Sequence, residues 1–171
     1  VLHRKFSNFN SFKKQEAKEY IINRSKNEKI IIINEAHHNI RHRIITTSLL
    51  YSLYDSGYRF IRLETLSDTL INKIKFLILE SGYYTREPQM ANLLKEASKI
   101  GFTLFKHEIS DGSNGKEREI GQAENIAKLI KENQNSKFLI LCGWDHVIEG
   151  TPRNKSWQNS IFCNITIELL C

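Results

Sequence analysis

The stretch IIIINEAHHNIRHR, from Ile30 to Arg43, runs four isoleucines directly into an amide, a carboxylate and a group of histidines. Imidazoles beside carboxylates support two kinds of chemistry. They can bind a divalent metal, which lowers the pKa of bound water and polarises a carbonyl. Alternatively, a histidine flanked by a carboxylate acts as a metal-free general base toward water. The juxtaposition recurs along the chain. Asn34, Glu35, His37 and His38 follow the isoleucines; Glu64 follows YRFIRL; His107 and Glu108 follow FTLFK; Gly143, Asp145 and His146 follow KFLILC. Four apolar runs thus each end in a carboxylate, a histidine or both. Carboxylates crowded into one cleft would also push at least one pKa upward and supply a general acid.

Each residue has a duller reading. His38 and His42 fit exposed positions on the first turn of a helix, and Glu35 fits an acid favoured by a helix N-terminus. Glu64 fits a plain strand-end acid, and His107 a satisfied structural histidine. His37 and His146 resist such readings best. Arg118 is either a surface arginine or a group that reaches the cleft to bind an anion or oxyanion.

The elements that would position these groups alternate. KIIII is a continuous β-branched run that suits a strand covered on both faces. RHRIITTSLLYSLYDSG carries Ile44, Leu49, Leu50, Leu53 and Tyr54 near helical spacing, with Gly57 as its C-terminal cap. YRFIRL reads as a second strand. SDTLINKIKFLILESG reads as a helix capped by Ser67 and closed by Gly82. Pro88 opens a further helix, PQMANLLKEASKIG. FTLFK is a third strand, EREIGQAENIAKLIKENQ a helix and KFLILC a fourth strand. IFCNITIELLC fits either a last strand or a short helix. Strands alternating with helices indicate βαβ units, so the expected fold is α/β: a mainly parallel sheet flanked by helices in a single domain spanning 1–171. Residues 1–25 read as a basic lead-in rather than a targeting signal, and 151–171 are left unassigned, as an incomplete C-terminus would be. In open parallel sheets, ligands sit beyond the carboxyl ends of the strands. That is where the candidate residues fall.

Composition narrows the function. The 171 residues suit one domain, and 40% hydrophobic with 26% charged residues suits a soluble globular protein. No apolar run approaches the roughly 20 residues of a transmembrane helix. The net charge of +6 invites a nucleic-acid reading. However, Lys and Arg are interspersed with acids, and no basic stripe with aromatics or zinc-finger spacing occurs. Nucleic acid is therefore not an expected partner. Cys142, Cys163 and Cys171 form no metal-type pair, and Cys142 reads as a small buried hydrophobe. The compartment stays open, either cytoplasmic or exported behind a leader that precedes Val1. Oligomeric state is not legible.

The sequence also resembles a superfamily that includes the erythromycin esterases, the ChaN-like haem-uptake lipoproteins and the TraB/Tiki metalloprotease group. NEAHHNIRH is similar to the ChaN-like pattern G-E-x-H-D-N-x-x-H, through Glu35, His37, Asn39 and His42. Glu64 matches a glutamate after the second strand. REIGQAENI resembles the R-x-x-x-x-A-x-N-I helix through Arg118, Ala123, Asn125 and Ile126, and CGWDHV supplies a second G-x-x-H through Gly143 and His146. Asn34 replaces the motif glycine, and His38 replaces the aspartate. GYYTREPQMANLL is similar to a bacterial branch apart from the esterases, and nothing after Gly150 matches a family helix.

The resemblance implies a hydrolase of a small-molecule or peptide substrate, cleaving an ester, lactone or peptide bond. His37 would be general base or metal ligand, oriented by Glu35, with Glu64 and His146 completing the site and Arg118 stabilising an oxyanion. His37, Glu64 and His146 would hold any divalent metal, for which Mn, Co and Zn are the candidates; a metal-free site is equally consistent. His38, Asn39, His42, His107, Glu108 and Asp145 are secondary pocket candidates. The alternative is a haem- or iron-complex-binding protein without turnover, with Tyr83 and Tyr84 as axial ligands. A third reading is a degenerate, non-catalytic domain.

Overall fold

Six consecutive residues at the end of KFLILCG are buried, and the five with side chains, Phe138 to Cys142, divide by parity between two cores. This marks a strand covered on both faces. The computed structural model describes residues 13–64, 66–106, 115–143 and 146. His107, Glu108, Asp145 and the segment 151–171 lie outside these.

The described elements run α1 (Ala17–Ser25), β1 (Ile30–Glu35), α2 (Arg41–Asp55), β2 (Tyr58–Leu63), α3 (Ile71–Ile74), α4 (Pro88–Ile100), β3 (Thr103–Lys106), α5 (Gly115–Glu132) and β4 (Lys137–Gly143). The four strands form an all-parallel sheet in the order β1-β4-β2-β3. The expected α/β class is therefore observed. Right-handed crossovers place connections that advance along the sheet on one face and those that return on the other. Accordingly, Leu49, Leu50 and Leu53 of α2 and Leu93, Leu94 and Ala97 of α4 share a core with Ile61, Leu63, Leu139 and Leu141. On the opposite face Ala123, Ile126 and Ile130 of α5 cover Phe138, Ile140 and Cys142. Arg62 interrupts that second face at 5% exposure, and burial pushes its guanidinium down to about 10.

As expected, β1 packs on both faces, Ile31 and Ile33 against one core and Ile30 and Ile32 against the other, although its isoleucines are half-buried because among the described residues it is an edge strand, pairing only with β4. Several other expectations need correction. The strand also extends through Asn34 and Glu35. Ile44 is exposed, because the buried stripe of α2 runs through Arg43, Thr46, Leu49, Leu50 and Leu53. Within the basic lead-in, Ala17–Ser25 form α1.

The largest departure is the helix expected over 67–82. Only Ile71–Ile74 is α-helical, followed by a single 3-10 turn at Leu79–Ser81, and the whole segment is a loop pinned by an antiparallel bridge between Leu66 and Gly82. Ser67 caps nothing; its N–H bonds the Ser81 carbonyl at 2.9 Å. The reason lies at the sheet edge. Asn72 donates from its side-chain amide to the Leu104 carbonyl at 2.7 Å and accepts the Leu104 N–H at 2.9 Å, standing in for a strand beside β3. To leave α3 the chain turns through Lys75 at φ 63°, the one non-glycine residue with positive φ among those described. That conformation costs an L-residue roughly 1–2 kcal/mol.

Candidate active site

Parallel pairing aligns Glu35 with Gly143, and the Glu64 N–H bonds the Leu141 carbonyl at 3.3 Å. The carboxyl ends of β1, β4 and β2 therefore meet, and the polar groups just beyond them form one cluster.

On the β1 side, Glu35 is buried at 2% exposure. It receives a forked pair of hydrogen bonds from Arg43, Nε to Oε2 at 3.1 Å and Nη2 to Oε1 at 2.9 Å. Arg43 is itself 1% exposed and also donates to Glu87 at 2.8 Å and to the His37 carbonyl at 3.2 Å. Glu87 caps α4, accepting the N–H groups of Gln89 and Met90. The carboxylate so fixed holds His37 Nδ1 at 2.8 Å. With Glu35 ionised, Nδ1 carries the proton and Nε2 presents a lone pair. The His37 side chain is 30% exposed, and Tyr84 stacks on its ring at 4.6 Å between centroids and 19° between planes.

The other side is built around Glu64. Its Oε1 accepts from Arg118 Nη2 at 3.2 Å and lies 3.0 Å from His146 Nε2, while Oε2 accepts the Gly143 N–H at 2.9 Å. His146 Nδ1 sits 2.8 Å from Glu119 Oε1 and 3.0 Å from Oε2; both residues are buried. Two carboxylate–imidazole pairs thus face one central glutamate. On the second side the contact closes, but His37 Nε2 stops 3.6 Å from Glu64 Oε2, too long for a hydrogen bond. Gly143 makes this approach feasible: a Cβ there would stand 2.6 Å from His37 Nε2. A cavity of about 10 Å³ adjoins them, lined by Glu35, His37, Glu64, Tyr84, Met90 and Cys142 together with Leu63 and Leu141.

The charges are strongly biased. Burial works against ionisation of Glu35, but the hydrogen bonds from His37 and Arg43 prevail and hold its carboxyl below the usual range. Burial likewise opposes the His146 imidazolium. The hydrogen bonds and charges of Glu119 and Glu64 outweigh it and push His146 up to about 9. Burial, reinforced by the nearby carboxylates, pushes the Cys142 thiol up to about 12, which leaves it protonated and inert as a nucleophile.

Of the residues singled out in the sequence, Glu35, His37, Glu64, Arg118 and His146 come together here. His38 and Asn39 do not take part in these contacts; His38 is exposed. His42 serves the local turn: its Nδ1 accepts the Ala36 N–H at 3.0 Å, and its Nε2 lies 3.2 Å from the Asn39 amide. Tyr83 is 81% exposed, against the edge of Tyr84. Sequence reasoning missed Arg43, Glu87, Glu119 and the stacking role of Tyr84. For two of these a signal existed. Arg43 occupies the apolar stripe of α2 with Thr46, Leu50 and Leu53, and Glu119 that of α5 with Ala123, Ile126 and Ile130.

Compared with known proteins, the chain matches no family model, no curated protein and no solved structure. Among the described residues, no group of three or more His, Cys, Asp or Glu side chains is arranged to hold a metal ion.

Proposed function

We propose that the protein is a hydrolase in which His37 activates a water toward an ester, lactone or peptide carbonyl. The observation that carries this reading is the state of His37: Nδ1 fixed on a carboxylate that Arg43 locks, Nε2 unbonded among the described residues, and the ring partly open to solvent. A volume of about 10 Å³ beside it suits a single water. His37 Nε2 takes a proton from that water as its oxygen bonds the carbonyl carbon. The same proton then passes to the departing oxygen or nitrogen as the old bond breaks. Arg118, whose side chain is 22% exposed, supplies positive charge for the developing oxyanion. His146, buried behind Glu64, is a positioning residue: with Glu119 it fixes the orientation of Glu64.

The reading is tested with a panel of ester, lactone and peptide substrates, assayed with and without Mn, Co or Zn. His37→Ala should lower the rate by about 10²- to 10⁴-fold while leaving the far-ultraviolet circular dichroism unchanged. Full activity in that variant rejects the site. Activity that appears only with added metal, together with metal bound in proportion to protein, replaces the metal-free mechanism. A Soret band on haem titration with no turnover of any substrate favours the binding-protein alternative, in which Tyr83 is the more accessible ligand.

A further inference from the structure

The outer flank of α4 and the chain leaving α3 enclose a groove of about 360 Å³, within the range of small-molecule sites. Its lining combines the apolar Ile71, Phe76, Leu77 and Ala91 with Asn92 and two lysines, Lys75 and Lys95. Phe76 is 60% exposed, an unusual position for a large aromatic ring with nothing described above it. Ala91 and Lys95 are one helical turn apart and share one face of α4. Both lysines are exposed, and neither forms an ion pair among the described residues. Lys75 joins the lining in the left-handed conformation, a helix-ending position that glycine or asparagine occupies more cheaply.

We propose that this groove binds a free fatty carboxylate, its alkyl chain against Phe76, Leu77 and Ile71 and its head between Lys75 and Lys95. Charge complementarity selects the occupant: an apolar trough with two cations and no carboxylate in its lining. Lysine ammonium groups recognise a compact anion as point charges, without the planar fork that arginine offers a larger headgroup. The proposal is independent of hydrolysis at His37.

The test is calorimetric titration of the full chain with decanoate, decanol and decyltrimethylammonium, three probes with one tail and different charge. Decanoate should saturate at one per chain and bind about tenfold more tightly than decanol, as two exposed charge contacts allow. Decyltrimethylammonium should be weaker still. Lys75→Ala/Lys95→Ala should abolish the preference for the anion, and Phe76→Ser should weaken all three probes; these exposed substitutions leave the core intact. Equal affinity for decanoate and decyltrimethylammonium, or no saturable binding, overturns the proposal. So does capture by vesicles of anionic phospholipid with no decanoate binding, which would make the patch a membrane contact. Self-association that Phe76→Ser abolishes and decanoate does not displace would assign the groove to a second copy.

Discussion

Arg43 shows how a single buried charge can organise a cluster of side chains around it. Its guanidinium joins Glu87, Glu35 and the His37 carbonyl, so the end of β1 and the start of α4 are tied through one side chain. Removing one partner of such a buried pair costs about 3–5 kcal/mol, because the other charge is left uncompensated. Arg43→Met should therefore lower stability by about that amount in urea unfolding. Adding Glu35→Gln should restore part of the loss; if the double variant were as unstable as the single, burial of an unpaired Glu35 would not be the cause. The residues of the cluster that follow apolar strands were legible in the sequence, since Glu35, Glu64 and His146 stand where strand ends deliver them. Arg43 and Glu119 were passed over, because neither follows a strand: each stands within a helix, on its apolar stripe. A charge on the buried stripe of a helix, near the strand exits, is the signal to look for.

At the scale of elements, strands were easier to read than the loop that replaced a helix. Apolar runs bounded by polar residues placed all four strands to within two residues at each end. The run from Ser67 to Gly82 has helical spacing too. Yet spacing carries no information about the outer edge of β3, where Asn72 bonds Leu104 with its side chain. Nor did the isoleucine run reveal that its partner among the described strands would be β4, far later in sequence. The Asn72 contacts make a specific prediction. Asn72→Ala should cost about 1–3 kcal/mol, the penalty of leaving backbone groups without partners, and should speed hydrogen exchange at the Leu104 amide more than at the central Leu139. Unchanged exchange at Leu104 would mean the edge is protected by something else.

For the whole molecule, the paired charges set a pH window. Glu35 is held below its ordinary range in the fold, so its contribution is present above the unfolded value of about 4.5 and is lost as pH falls through the lower folded value. His146 is raised from 6.5 to about 9, so its contribution is full below 6.5 and is lost as pH rises through 9. The alkaline loss amounts to no more than about 3 kcal/mol. Urea midpoints taken from pH 6 to pH 9.5 should fall for the wild type, whereas Glu119→Gln should begin lower and decline less. A flat wild-type profile would show that His146 is not held as an imidazolium.

The strand order has a consequence for how the molecule comes into being. β4 is the last described strand in sequence, yet it lies between β1 and β2 and brings Gly143, whose N–H holds Glu64. During synthesis the earlier strands must wait, without their shared neighbour, until the ribosome has delivered residues far downstream. A nascent chain that has made every helix so far described still has a divided sheet and an incomplete cluster around Glu64. Joining of the described sheet and closure of the cluster around Glu64 therefore both await β4, which supplies the Gly143 N–H.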